Sequence, residues 1–243
     1  MMQIDIDIGN SRIKWRIRHH PNSCERGYLS PADLQSWLNN LPWAEVAQLN
    51  LASVAKPELV AEITESAAQH SHLQLFVAQT EKQFGRLRNG YVEHTRLGVD
   101  RLLAMVGALE FAHGAFCVID CGTAITLDFV GADGLHLGGY IVPGIELQRR
   151  MLMQGTYAVR TEDEMVGDYS PGHSTAECAL RGIRAIVRAG VQAVLAARAK
   201  TGVVEQVILT GGDATLLVDL LPDAVVVPDL VLDGLAELAD KQN

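Results

Sequence analysis

The sequence predicts an α/β protein built from two similar halves, with a ligand cleft between them. Three observations carry this reading. An acidic residue ends an apolar strand before a Gly turn at two places, Asp7-Ile8-Gly9-Asn10-Ser11 and Asp120-Cys121-Gly122-Thr123. Each turn feeds another strand, and each half closes with alternating helices and strands, the pattern of a duplicated unit. A Gly pair, in Thr210-Gly211-Gly212-Asp213, follows a further apolar strand and opens a helix. The division falls near residue 113, giving halves 1–113 and 114–243. The crevice between two such halves is a natural ligand site.

The elements follow in order. Residues 2–8 and 12–18 form a hairpin around the first turn, and the second strand alternates basic and apolar residues strictly. Its Arg and Lys face is read as solvated, with Arg12 or Lys14 approaching phosphate as the alternative. Ser30-Pro31 opens a helix to Asn39; residues 46–54 form a strand; Pro57 starts a helix to Gln69; residues 73–78 form a strand. His70 and His72 beside that strand have no third ligand in view and read as loop histidines. Residues 80–97 form a long polar loop, of a length that is often functional. A helix covers 102–112, then strands cover 115–120, 123–130 and 136–142, then a helix of about ten residues begins past Gly144. A second polar loop spans 155–173, and a long helix spans 174–199, interrupted near Gly182 and Gly190. A buried strand at 204–209, a helix, a strand at 224–227 and a helix at 229–240 complete the sequence.

Composition narrows the function. Of 243 residues, 48% are hydrophobic, so a sizeable core can form. The net charge of −9 with scattered basic residues argues against a nucleic-acid or anionic-membrane surface. The four cysteines lack a CxxC pair and read as buried free thiols of a reducing cytoplasm. The first strand carries Asp5 and Asp7, unlike a signal peptide, and no apolar run is long enough to span a membrane.

The turns offer backbone N–H groups and hydroxyls for phosphate oxygens, and carboxylates for Mg²⁺. A single turn of this type is also what an ordinary hairpin requires; the pair points to a nucleotide held from two sides. The Gly211-Gly212 turn suits a flat adenosine against backbone, or is a plain strand-to-helix turn. Two readings stay open for Asp100: an N-cap of the following helix, or a general base that takes a proton from a hydroxyl nucleophile. The planar fork of Arg101 suits a carboxylate on the acceptor. Cradled phosphates, a metal and a base are the parts of phosphoryl transfer.

These segments, Asp7-x-Gly9-Asn10-Ser11, Leu97-Gly98-x-Asp100-Arg101, Asp120-x-Gly122-Thr123-Ala124-x-Thr126-x-Asp128 and Gly138-Gly139-x-Ile141-x-Pro143-Gly144, resemble type III pantothenate kinases in order and spacing. The resemblance runs from Asp5 to about Asp213. It implies two ribonuclease H-like domains of the acetate kinase, sugar kinase, Hsp70 and actin superfamily. It implies ATP-dependent phosphorylation of pantothenate to 4′-phosphopantothenate, the first step towards coenzyme A. By the same resemblance, Asp7 to Lys14 is the first phosphate loop, with Gly9, Asn10, Ser11 and Lys14 on ATP and Asp7 near Mg²⁺. Asp100 takes the proton of the pantothenate hydroxyl. Tyr91, Gly98, Val99, Asp100 and Arg101 line the pantothenate pocket, with Thr175 reaching the substrate. Gly122 and Thr123 form the second phosphate contact, Gly211 and Gly212 complete the ATP site, and Asp120 binds a monovalent cation, K⁺ or NH₄⁺. The working unit is a homodimer, and an apolar helical face in 144–153 and 174–199 is its expected interface.

Two other functions fit the same residues. One is a different small-molecule kinase or phosphohydrolase of the same fold, because fold alone does not fix chemistry. The other is a nucleotide-binding accessory factor for transcription, without catalysis, acting through a protein partner.

Overall fold

The computed structural model describes residues 2–19, 23–54, 56–155, 170–201 and 205–242. Two five-stranded sheets organise the chain. In the first, β1 (Met2–Ile8), β2 (Ile13–His19) and β3 (Ser23–Leu29) form an antiparallel meander, and β4 (Val46–Ser53) and β5 (Gln74–Val77) add in parallel, in the order β3-β2-β1-β4-β5. Helices α1 (Leu34–Asn39) and α2 (Pro57–Ala68) connect these strands. The short ladder of β6 (Gln83–Phe84) and β7 (Leu87–Arg88) precedes α3 (Val99–Ala108).

The second sheet is built from β8 (Phe116–Cys121), β9 (Ala124–Val130), β10 (His136–Pro143), β11 (Gln206–Thr210) and β12 (Val225–Val226), in the order β10-β9-β8-β11-β12. Renumbered within its half, this is the same strand order as the first sheet, with the same antiparallel start and parallel β11 and β12. The duplication read from the sequence is therefore a duplication of topology. Between the strands lie α4 (Ile145–Gly155), α5 (Thr175–Ala199) and α6 (Thr215–Val218), and α7 (Leu230–Gln242) follows.

The chain forms two compact units: Met1–Ala112 with Asp133–Gly138 and Asp229–Asn243, and His113–Ala132 with Gly139–Pro228. A division at residue 113 assigns α7 to the second half; in the structure α7 packs in the first unit, on α3. The reason is a close crossing of the two helices. A Cβ on Gly234 would stand 1.9 Å from the Leu103 carbonyl oxygen, and one on Gly107 would stand 2.4 Å from that of Leu230. Leu230, Leu232, Leu235 and Leu238 of α7 are buried there.

One face of the first sheet is apolar, with Ile4, Ile6, Ile8, Ile13, Ile17, Leu49 and Leu51 in a single core. The other face is a correction to the sequence reading. Arg16 is not solvated: its Nε donates to Asp5 Oδ2 at 2.9 Å and its Nη2 donates to the Leu232 carbonyl at 2.7 Å. Arg16 also pairs with Asp233 of α7. Arg18 Nη2 and Asn50 Nδ2 both donate to Asp5 Oδ1, at 3.1 and 2.8 Å. Asp5 has no exposed surface, so these three charge-assisted bonds replace its lost water.

Other departures are local. β3 continues the meander as an edge strand that the sequence reading left out. α5 runs unbroken through Gly182 and Gly190. Cys117 and Cys121 are buried as expected, whereas Cys24 and Cys178 are exposed; all four are free. His70 stacks on Trp43 at 5.0 Å and His72 Nε2 lies 3.1 Å from the Trp43 carbonyl oxygen, so both serve local packing. The polar loop expected over 155–173 falls largely on 156–169, outside the described residues. No helix among the described residues is long and apolar enough to cross a membrane.

Candidate active site

The first unit carries two clusters. In the first, Asp7 near the end of β1 is buried and stands opposite Lys14 in the β1–β2 register. The Gly9 N–H donates to the Arg12 carbonyl at 3.2 Å, closing a tight turn that leaves Asn10 and Ser11 exposed at its tip. A buried carboxylate, a lysine paired with it in the strand register and exposed turn groups thus come from one hairpin.

The second cluster sits at the N terminus of α3. Gly98 is the cap residue, without a side-chain cap bond, and Val99 is buried. Asp100 lies in the first turn, two residues past the cap. Its Oδ1 accepts the Arg101 N–H at 2.8 Å, and a carboxylate in a first turn is favoured by the helix dipole. Arg101 is 6% exposed and its Nη1 donates to the Tyr91 hydroxyl at 2.7 Å. Asn89 shapes the approach: its Oδ1 accepts the Tyr91 N–H at 3.0 Å and its Nδ2 donates to the His94 carbonyl at 3.0 Å. The loop read as irregular is thus a short ladder followed by an Asn-organised turn. Gly90, Tyr91, Val92, Glu93 and Arg96 line an open depression of about 620 Å³ beside it.

The second unit carries a third cluster. Asp120 is the penultimate residue of β8. The Gly122 N–H donates to Ala124 O at 3.0 Å, the Gly144 N–H to Thr123 O at 2.9 Å and the Asp213 N–H to Cys121 O at 3.0 Å. These bonds join the Gly122-Thr123 turn, the end of β10 and the Gly211-Gly212 turn. Gly211 has φ +90°, and a Cβ there would stand 2.4 Å from Asp120 Oδ1 and 2.5 Å from the Cys121 carbonyl oxygen. Only glycine lets this backbone lie against the carboxylate. Gly212 is exposed beside it. Burial, helped by the Asp120 and Asp213 charges, pushes the Cys121 thiol up to about 12, so it stays protonated at neutral pH and is no nucleophile. Thr175 is placed elsewhere in this unit, exposed as the first residue of α5.

Sequence reasoning brought Asp7, Asp100 and Asp120 out as strand-end or helix-start acids beside glycine. It left His136 unassigned: the residue is 1% exposed and its ring stacks on Tyr91 at 5.7 Å and 14°. Its Leu-His-Leu setting carried no signal. Gly144 stood in a quoted motif, yet its bond to Thr123 needed the fold.

Duplicated sheets of this order with aspartate turns define the actin-like ATPase class, and known structures agree on the fold. A Baf family transcriptional activator from Campylobacter jejuni superposes with TM-score 0.60 over 98% of both chains at 17% identity. An activator of 2-hydroxyisocaproyl-CoA dehydratase from Clostridium difficile, with bound ADPNP, superposes with TM-score 0.53 over 100% of this chain and 97% of its own at 12% identity. The sequence comparisons are narrower. The family model for type III pantothenate kinase matches residues 3–197. The type III pantothenate kinases of Azotobacter vinelandii and Pseudomonas fluorescens are each 39% identical over 97% of this chain, covering 97% and 98% of their own lengths. This chain belongs to the type III pantothenate kinase family.

Proposed function

We propose that this chain performs its family's reaction with the three clusters described above. The reaction is transfer of a phosphoryl group from ATP to the 4′-hydroxyl of pantothenate, the entry to coenzyme A. The observation that carries the assignment is the Asp100-Arg101 pair at the N terminus of α3. Asp100 accepts the hydroxyl proton and orients the nucleophile. Arg101, with Tyr91, Gly98 and Val99, holds the substrate, the guanidinium fork taking its carboxylate. Thr175 is proposed as a further substrate contact.

The Asp7 turn, with Gly9, Asn10, Ser11 and Lys14, contacts the ATP phosphates, and so does the Gly122-Thr123 turn. Gly211 and Gly212 take the adenosine. Among the described residues no group of three or more His, Cys, Asp or Glu is placed to hold a metal. That fits Mg²⁺, which is held by one or two carboxylates together with substrate phosphates; Asp7 is the proposed carboxylate. The ion would neutralise charge that develops on the transferred group. Asp120, whose carboxylate lies with the Cys121 carbonyl oxygen against Gly211, is the proposed ligand of K⁺ or NH₄⁺, which oxygen donors suit.

A homodimer is the proposed working unit. An apolar groove of about 710 Å³ runs between α4 and α5, lined by Tyr140, Met151, Leu152, Ile183, Ile186 and Val191 among others. Ile186 is 71% and Met151 56% exposed, which a single chain in water would not favour.

One experiment tests the set. ADP release is followed with Mg²⁺ and ATP, with and without pantothenate, in K⁺, NH₄⁺ and Na⁺ buffers, after the mass in solution is measured. Pantothenate-dependent turnover that needs K⁺ or NH₄⁺, from a particle of twice the chain mass, is expected. Folded, ATP-binding protein without pantothenate-dependent turnover in any salt would sink the reading, and a particle of one chain mass would remove the dimer.

A further inference from the structure

The segment Asp133–Gly138 that carries His136 lies in the first compact unit, although the chain before and after it belongs to the second. Residues 133–138 are fastened to the loop before α3. The Arg88 N–H donates to the Gly134 carbonyl at 2.8 Å, and Arg88 bridges Leu135 in parallel. At Gly90 there is no room for a side chain, because a Cβ would stand 1.9 Å from the His136 carbonyl oxygen. The His136 ring is 1% exposed, nearly parallel to the Tyr91 ring at 5.7 Å. The Tyr91 hydroxyl in turn accepts from Arg101 Nη1 at 2.7 Å, with the Arg101 guanidinium carbon 5.7 Å from the ring centroid.

These contacts form a chain from a buried, backbone-anchored imidazole through a half-exposed phenol to a guanidinium. A stacked partner fixes the plane of an aromatic ring, and a fixed phenol oxygen fixes the arginine fork that donates to it. Orientation is what a bidentate arginine supplies beyond charge. We infer that His136 is a positioning residue for the acceptor: through Tyr91 it sets the direction of Arg101, and so the affinity for the carboxylate end of the substrate. The inference rests on the pantothenate reading of the Tyr91–Arg101 cluster.

The test separates this role from a general packing role. His136→Ala removes the stack, and His136→Phe keeps an aromatic plane of similar size. Wild type and both variants are assayed with pantothenate varied at saturating ATP, with ATP varied at saturating pantothenate, and with the analogue whose carboxylate is replaced by a hydroxymethyl group. His136→Ala should raise KM for pantothenate about 10-fold, the loss expected from one displaced charge-assisted contact. KM for ATP and kcat should stay near wild type, His136→Phe should restore most of the loss, and KM for the uncharged analogue should be unchanged. An unchanged KM for pantothenate in His136→Ala would overturn the inference. So would an equal rise for the uncharged analogue, or an equal rise in KM for ATP. If His136→Ala fails to fold, His136→Leu, which keeps volume but not the aromatic plane, carries the test: a selective rise in its pantothenate KM supports the inference, and wild-type behaviour on every substrate overturns it. A wild type active on other acceptors but not on pantothenate would remove the functional reading, and this role with it.

Discussion

Asp100 and Gly211 show how single residues divide the work of such a site. The cap of α3 falls on Gly98, and the Asp100 carboxylate in the first turn accepts its neighbour's N–H. Asparagine keeps that acceptor and the shape but cannot take a proton. Asp100→Asn is therefore expected to lower kcat about 10²-fold or more, with ATP affinity and melting temperature unaltered. Steady-state kinetics with a parallel thermal melt checks this, and near-wild-type turnover would take Asp100 out of its role. Gly211 acts through absence. Alanine there meets Asp120 Oδ1 at 2.4 Å in a left-handed backbone, a cost on the order of 1–3 kcal/mol. Gly211→Ala should lower the melting temperature and weaken activation by K⁺ or NH₄⁺, read from the salt dependence of turnover. Both positions were legible because an acid or glycine at a strand or helix end is a local signal. Arg16 and His136 were not. An arginine on an alternating strand reads as solvated until α7 is seen to cover it, and a histidine between two leucines reads as nothing until Tyr91 is seen beneath it.

At the scale of elements, what the sequence hid is what packing decides. Gly182 and Gly190 each lower helix propensity by about 1 kcal/mol relative to alanine, which predicts a break in α5. The helix persists because Leu180, Ile183, Val187 and Val191 bury one continuous face. β3 was missed for the opposite reason: most of its residues are exposed, so it carries no clean alternation and is recruited by pairing with β2. The start of α5 is strongly specified. Ser174 Oγ accepts the Glu177 N–H at 3.1 Å, and Glu177 Oε2 accepts the His173 N–H at 2.6 Å, a reciprocal cap. The His173 N–H, with help from Arg181, holds the Glu177 carboxyl below its usual range. A depressed folded value means the stabilisation is present above the unfolded value and is lost as pH falls through the folded one. Glu177→Gln should thus melt lower than wild type above about pH 5 and converge with it on further acidification. Melting curves between neutral and acidic pH decide it; a gap that stays constant would mean the cap does not depend on charge.

The whole molecule repeats one topology but does not cut cleanly into two chain halves. Each aspartate turn ends the central strand of its own sheet, in the strand order 3-2-1-4-5 that both sheets share. The exchange of segments had no sequence signature, since α7 reads like any amphipathic helix following the strand before it. Its consequence is physical. Four leucines of α7 are buried in the first unit, each contributing roughly 1.5–3 kcal/mol as an upper range. Their sum, on the order of 6–12 kcal/mol, rivals the whole stability of a typical domain. Removing α7 also strips the Leu232 carbonyl and Asp233 from Arg16 and uncovers the α3 face on which α7 packs. A fragment of residues 1–112 is therefore expected to lack a cooperative thermal transition and to be digested rapidly by protease. Joining residues 229–243 to it through a flexible linker should recover both the transition and protease resistance. Circular dichroism melts and timed proteolysis of the two fragments give the answer. A cooperative, protease-resistant 1–112 fragment would mean that the first sheet and α3 are stable by themselves, and that α7 is held by the first unit rather than holding it together.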